Sequence, residues 1–176
     1  MPADYAVTVY DALMSAGTPL GLANAGYRAI ESLRLEKGYR AWGIDIGPDH
    51  TPIEAGLGWA VKSRSGVEFR GRDSVAAQRA NGVRKMLAGF TCDPTVVLLG
   101  RETIFRDDER VGWLTSGGFG YTIDRSIGYG YVRNPQGVTA DSVTAGAYEL
   151  EVAGQRVPAR VSLQPFFDPT NARVKS

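Results

Sequence analysis

Ser32-Leu-Arg-Leu-Glu-Lys-Gly-Tyr-Arg-Ala-Trp-Gly-Ile-Asp-Ile46, continued by Thr51-Pro-Ile-Glu-Ala-Gly-Leu-Gly-Trp59, joins a charge-dense helical segment to a loop punctuated by glycine and proline. What flanks it decides the fold class. Up to about Ala80 the pattern is helical with loops. After Asn81-Gly82 it changes to short apolar runs separated by turns, the texture of strands. Helices followed by a run of strands read as an α+β chain, divided at 1–81 and 82–176. The loop carries Tyr39, Trp42, Asp45, Glu54 and Trp59. Ordering such a loop is costly in conformational entropy, so it is expected to line something.

Working outward, residues 4–16 place Tyr5, Val9, Ala12, Leu13 and Ala16 at helical spacing, with Gly17 and Pro19 as a stop. A second helix is expected from Asn24, as cap, to Lys37, closed by Gly38. Leu33 and Leu35 lie about 200° apart on a helix, which predicts a helix covered on more than one side. A third fits Arg72–Ala80. Trp59-Ala-Val61 reads as a strand leaving the loop. Thr51-Pro-Ile-Glu54 has the form of a capping box.

Beyond Lys85, strands are expected at 86–91, 96–99, 103–106, 111–115, 127–133, 147–152 and 156–163. Arg106–Arg110 and Ala153-Gly-Gln155 read as hairpin turns. Ile127-Gly-Tyr-Gly-Tyr131 puts Ile127, Tyr129 and Tyr131 on one face, with glycines where another backbone can approach. This density of short strands favours a small antiparallel barrel or a jelly-roll-like sandwich.

The chain of 176 residues can bury a real core, and its net charge of +1 gives no electrostatic case for nucleic acid or an anionic membrane. No apolar run approaches the roughly 20 residues of a membrane span. Sixteen of the twenty basic residues are arginine. Arginine can mark anion recognition, but the scatter along the chain favours a compositional origin. One cysteine, Cys92, excludes an internal disulfide and a cysteine metal cage. It points to a reducing, cytoplasmic setting. His50, the single histidine, lies in a turn-forming sequence and reads as a solvated loop residue.

Few constellations suggest chemistry. Ser116-Gly-Gly-Phe-Gly120 lacks both the Gly-Lys-Ser/Thr ending of a phosphate loop and dinucleotide-loop spacing, so a bend between strand and loop is expected. Glu31, Glu36, Asp45, Asp49 and Glu54, near Arg34 and Arg40, read as an ion-pair network locking helix to loop, with Arg34 paired to Glu36 or Asp45. Tyr39, Trp42 and Trp59 could stack on a flat heteroaromatic ligand.

Gly21 through Ile46 resembles the glycine cleavage T-protein (aminomethyltransferase) superfamily. The form Leu-Glu-Lys-Gly-Tyr-Arg with Trp-Gly is most similar to the folate-binding portion of dimethylglycine and sarcosine dehydrogenases. The resemblance continues in order through Thr51-Pro-Ile-Glu-Ala-Gly-Leu57, Phe69-Arg-Gly-Arg72, Gly112-Trp-Leu-Thr-Ser116, Ile127–Val132, Tyr148–Gly154 and Pro165-Phe-Phe-Asp-Pro169. It implies an incomplete aminomethyltransferase-like folate-binding segment over 1–81 and, over 82–176, the family's C-terminal barrel, a small antiparallel β-barrel of Greek-key or jelly-roll-like form. It also implies tetrahydrofolate as the acceptor of a one-carbon unit.

In the resemblance Trp59 matches an aromatic of the folate channel and Arg34 a family arginine, while Ile30 stands where the T-protein has a folate-contacting arginine. Trp59, Arg34 and Tyr39 are therefore the candidate cofactor-binding residues. The family's catalytic carboxylate has no counterpart here, so no catalytic residue is assigned. The resemblance implies a missing N-terminal half or an FAD-containing partner subunit, with FAD only there, and exposed apolar surface that invites a homo-oligomer. Lys37-Gly-Tyr-Arg40 lacks the cysteine of the tRNA-modification branch. A non-catalytic regulatory module of the same fold is the alternative.

Overall fold

The computed structural model describes residues 1–63 and 65–175, which form two compact units, Met1–Ile30 and Glu31–Ser176. The first unit is a 3-10 turn at Ala3–Tyr5, the helix α1 (Ala6–Gly17) and a second 3-10 turn at Thr18–Leu20 that carries Pro19. The expected stop after Gly17 is therefore present, held by the Thr18 hydroxyl donating to the Met14 carbonyl at 2.6 Å. Asn24 caps no helix; its amide donates to the Tyr10 hydroxyl at 2.8 Å, and α2 (Tyr27–Lys37) begins three residues later. No residue of this unit is buried, and Tyr5, Val7, Leu13 and Leu20 are exposed.

Within the second unit α2 buries Ser32, Leu35 and Glu36 and leaves Leu33 exposed. The expectation of cover on more than one side is thus corrected: these buried positions form one stripe, and Leu33 points away from it. α3 spans Arg72–Asn81, as its pattern indicates. Trp59 lies in a 3-10 turn, Gly58–Ala60, rather than at the head of a strand.

The strands are β1 (Val83–Cys92), β2 (Thr103–Arg106), β3 (Glu109–Gly120), β4 (Arg125–Val138), β5 (Tyr148–Val152) and β6 (Gln155–Ser162). They close into an antiparallel barrel in the order β1-β4-β3-β2-β5-β6. The meander β2-β3-β4 with β1 laid beside β4 is a Greek key. Short helices α4 (Ala140–Thr144) and α5 (Ala172–Lys175) complete the chain. Both predicted hairpin turns are present. Asp107 and Asp108 both have positive φ, 50° and 67°, the conformation a two-residue turn of this twist needs and one that aspartate tolerates.

Two expected elements differ. Residues 96–99 form no ladder: Asp93 accepts from the Thr95 amide and hydroxyl, turning the chain, and the Ser126 hydroxyl holds the Val96 carbonyl while Leu98 is buried. Residues Ser116–Gly120 are no bend; they continue β3 and pair with β4 as far as Gly120↔Arg125. The glycines fit there because the Leu98–Gly100 backbone passes too close to Gly117 for a side chain, as do the side chains of Leu35 to Gly118 and Ile127 to Gly120.

The barrel interior is apolar, with Phe90, Ile104, Leu114, Val132 and Leu150 fully buried. A second cluster unites Leu35 of α2 with Leu87, Ile127, Tyr129 and Tyr131. The alternating Ile-Gly-Tyr-Gly-Tyr segment thus presents its large residues to the helix, while Gly128 and Gly130 accommodate Leu114 and Ile104 from the interior cluster.

Burial pushes the Cys92 thiol up from 9.0 to about 11, helped by Glu102 and Asp93. It pushes the Tyr129 hydroxyl up from 10.0 to about 12. Both groups are neutral when protonated, and unfolding lets them ionise sooner. Their contribution is fully present below pH 9 and is lost as pH rises through 9 to 12. The melting temperature is expected to fall across that window in a pH series. Cys92 should label with a thiol-directed reagent only as the chain unfolds; rapid labelling of the folded chain would contradict its burial.

Candidate functional site

The loop after α2 is fixed by one carboxylate. Asp45 is buried and accepts from the Arg34 guanidinium at 2.6 Å, the Thr115 and Ser116 hydroxyls at 2.6 Å each and the Ala41 amide at 3.0 Å. Its backbone carbonyl accepts from the Tyr131 hydroxyl at 2.9 Å. A carboxylate can be buried when its lone pairs are filled in this way. Loop, helix and strands β3 and β4 are thereby tied at one point.

Arg34 completes the tie. Its guanidinium donates to Glu31 at 2.8 Å, Asp45, Ser116 at 3.0 Å and the Tyr39 carbonyl at 3.4 Å, which occupies its fork. The expected pairing with Asp45 is present. Glu36 takes another role and accepts from the Thr122 amide at 2.6 Å. Thr51 and Glu54 form the predicted reciprocal box, at 2.9 and 3.3 Å, within a turn rather than a regular helix. Lys85 lies 3.8 Å from Glu54, and the Glu54 carbonyl accepts from the Leu87 amide at 2.8 Å, so the loop is also pinned to β1.

His50 is not the solvated residue its turn suggests. Its ring stacks on Tyr131, with centroids 4.5 Å apart, and Nδ1 is buried without a hydrogen-bond partner. Burial, then Lys85, lower its pKa below 6.5, favouring the neutral ring. Turn composition carries no information about a stacking partner eighty residues away in the chain, which is why the sequence misled.

The rigid loop forms one side of a cavity of about 510 Å³. Tyr39, Ile46, Leu57 and Trp59 line it from the loop; Leu163, Pro165 and Pro169 line it from the C-terminal segment. That segment is clamped to α2 by Lys37 with Asp168 and by the Phe167 amide donating to the Glu36 carbonyl at 3.0 Å. Phe166 packs beside Tyr129. Two cations also line the cavity, but Lys37 is held by Asp168, while Arg40 donates to the carbonyls of Ala55 at 3.0 Å and Gly38 at 2.6 Å. What the cavity offers a ligand is chiefly aromatic and aliphatic surface, with Gln164 and Asn171 as its uncharged polar residues. Trp59 is 82% exposed, with its ring unclaimed by the core.

Of the three candidates, Tyr39 and Trp59 line this cavity; Arg34 does not, and is held in the Asp45 network. Sequence reasoning missed the C-terminal wall around Pro165, which contributes through long-range closure of the chain. Among the described residues no group of three or more His, Cys, Asp and Glu side chains could hold a metal ion.

A barrel of this topology, preceded by a helix and an aromatic loop, defines a class that comparison with known proteins makes explicit. The family model described as the glycine cleavage T-protein C-terminal barrel domain matches residues 85–168, and that of the GCVT N-terminal domain matches residues 1–65. The chain belongs to the glycine cleavage T-protein superfamily.

It is 46% identical over 177 aligned residues to human mitochondrial sarcosine dehydrogenase, an alignment covering 99% of this chain and 19% of that protein. It is 38% identical to the mouse mitochondrial pyruvate dehydrogenase phosphatase regulatory subunit, covering 94% of this chain and 20% of that one. The crystal structure of the glycine cleavage system aminomethyltransferase T from Bartonella henselae superposes with a TM-score of 0.80 at 27% identity, covering 96% of this chain and 45% of that one. The chain thus spans about a fifth of the length of these two curated relatives. No described helix is long and apolar enough to cross a membrane.

Proposed function

We propose that the chain supplies one wall of a tetrahydrofolate channel in a one-carbon enzyme of the sarcosine or dimethylglycine dehydrogenase or aminomethyltransferase type. One observation carries this reading: an exposed indole, Trp59, stands on a rigidly tied loop at the mouth of an aromatic and aliphatic cavity shared with Tyr39. The cavity volume falls in the range of small-molecule sites, and its ring-bearing lining suits a flat heterocycle joined to an aryl group. Its cations are already engaged, so recognition there is by stacking rather than by charge.

Bound tetrahydrofolate supplies the amine that accepts a one-carbon unit at the formaldehyde level. Trp59 and Tyr39 orient the ring system, and Arg34 keeps their loop in register. FAD, where the donor is oxidised, belongs to another domain or to a partner subunit. The exposed apolar side chains of the first unit fit that association or a homo-oligomer. We divide the work at 1–81 and 82–176, folate wall and barrel, in a reducing, cytoplasmic setting.

The test is titration with 5-formyltetrahydrofolate of the chain mixed with the part of human sarcosine dehydrogenase that it does not span. Saturable binding is expected. Trp59→Ala should weaken it by about tenfold, the scale of one lost aromatic contact. Trp42→Ala, which removes an exposed indole outside the cavity, should leave it unchanged. Absence of binding in the mixture would sink the folate reading. The likeness to the phosphatase regulatory subunit would then favour a non-catalytic module.

A further inference from the structure

The arginines that look scattered in the sequence gather on the barrel around Trp113, away from the loop cavity. Arg101 and Arg110 line a second hollow of about 550 Å³ with Trp113, Gly43 and Ile44. Pairing of Trp113 with Tyr131 brings Arg133, two residues further along β4, to the same indole, with its guanidinium carbon 4.1 Å from the ring centroid. Arg133 in turn lines an adjoining hollow of about 370 Å³ with Arg84, Lys85 and Glu54. Trp113, 43% exposed, links the two: it lines the larger hollow and stacks with Arg133 of the smaller.

We propose that this surface binds a small oligoanion, a chain bearing at least two carboxylate or phosphate groups, with an apolar portion against Trp113 and Ile44.

Three observations support it. First, among the described residues no hydrogen bond or ion pair engages the guanidinium of Arg84, Arg101, Arg110 or Arg133, apart from the stacking of Arg133. Each fork therefore remains open for bidentate contact with an oxyanion. Glu54, which also lines the smaller hollow, already accepts from the Thr51 amide and lies near Lys85.

Second, Nε of Arg133 is buried without an acceptor. A buried donor left unpaired is costly, and a ligand oxygen would relieve it. Stacking on the indole fixes the guanidinium plane while leaving its edge available.

Third, Arg101 is held at φ 80°, a region rarely adopted by a non-glycine residue other than Asn or Asp. Its amide donates to the Leu114 carbonyl at 2.8 Å, and the Leu114 amide donates to the Glu102 carbonyl at 2.8 Å. The backbone is pinned in a strained form that places Arg101 at the hollow.

The hollows are concave, which suits a discrete ligand better than a flat lipid surface. The net charge of +1 gives no long-range field for nucleic acid.

Calorimetric titration of the full chain at low ionic strength, with tripolyphosphate and separately with tricarballylate, tests the assignment and distinguishes a phosphate from a carboxylate source. Saturable one-site binding of at least one is expected. Arg110→Gln and Arg133→Gln should each weaken it by about tenfold, the loss of one charge-assisted contact. Arg160→Gln, an arginine on β6, and Trp59→Ala should leave it unchanged, so failure here is distinct from failure of the folate reading. Thermal melts confirm that the variants fold. Binding of neither anion, equal loss with Arg160→Gln, or stronger binding of an RNA oligomer or of anionic vesicles would overturn the proposal.

Discussion

Asp45→Ala is expected to destabilise the chain by about 3–5 kcal/mol, the range for removing one member of a buried, hydrogen-bonded charge pair. The carboxylate gathers four donors; deletion leaves the Ala41 amide and the Ser116 hydroxyl without their acceptor, while Thr115 keeps only the Tyr129 carbonyl at 3.1 Å. The Arg34 side chain is mostly buried, so its charge cannot simply turn to water. Glu31 remains as a partner, but it is more exposed and does not link helix to sheet.

For a chain of this size the loss corresponds to a fall in melting temperature of roughly 10 °C, measurable by calorimetry. Asp45→Asn keeps one acceptor oxygen but brings an amide towards the donors of Arg34 and Ala41, so it should recover little. Tyr39 and Ile46 belong both to the tied loop and to the cavity, so folate affinity should fall with stability. A wild-type melting temperature in Asp45→Ala would show that the buried network contributes nothing net.

What was legible in the sequence divides along physical lines. Glycine, proline and aspartate act locally, so the turn at Arg106–Arg110, the stop after Gly17 and the helix at 72–81 could be read directly. Alternation in Ile127–Tyr131 identified the face that packs on Leu35, because a strand's period is fixed by its backbone. Strand density leaves barrel and sandwich open, and the family resemblance supplies the barrel.

Long-range partnership was less legible. Trp59 looked like the start of a strand, yet its turn is set by surrounding contacts, including the Arg79 guanidinium on the Gly58 carbonyl at 2.7 Å. Residues 96–99 had strand composition but no neighbour to pair with, because the Asp93 turn redirects them. For Arg34 the sequence leaves Glu36 and Asp45 both open as partners, and the structure selects Asp45. Nothing in the residues around Ser116, which joins that pair through its hydroxyl, announces this role. The C-terminal cavity wall and the arginines around Trp113 depend on closure of the barrel, which no local window contains.

Gly112→Ala is expected to destabilise the barrel strongly, by forcing β3 away from β4. A Cβ on Gly112 would overlap the Tyr131 carbonyl oxygen and sit 3.1 Å from the carbonyl carbon. These are backbone atoms on the paired strand, so no rotamer change relieves the overlap. Gly112 lies opposite Val132 in β4 and Ile104 in β2, so moving it disturbs both ladders. The interior leaves little room for adjustment, since Ile104, Leu114 and Val132 are fully buried.

Overpacking ordinarily costs about 1–3 kcal/mol, and a clash with fixed backbone belongs at or above the top of that range. Gly117→Ala provides a graded comparison: its Cβ would lie 2.6 Å from the Gly100 amide nitrogen and 2.7 Å from the Leu98 carbonyl carbon. Those atoms belong to a connection rather than a ladder, which can shift at lower cost. Gly21→Ala meets no neighbouring atom, although its positive φ adds a modest strain of its own. Chemical denaturation should therefore rank the losses Gly112→Ala above Gly117→Ala above Gly21→Ala. If Gly112→Ala folds with unchanged stability, the β3–β4 approach is wider than the structure places it, and the pairing that brings Trp113 beside Arg133 has to be redrawn.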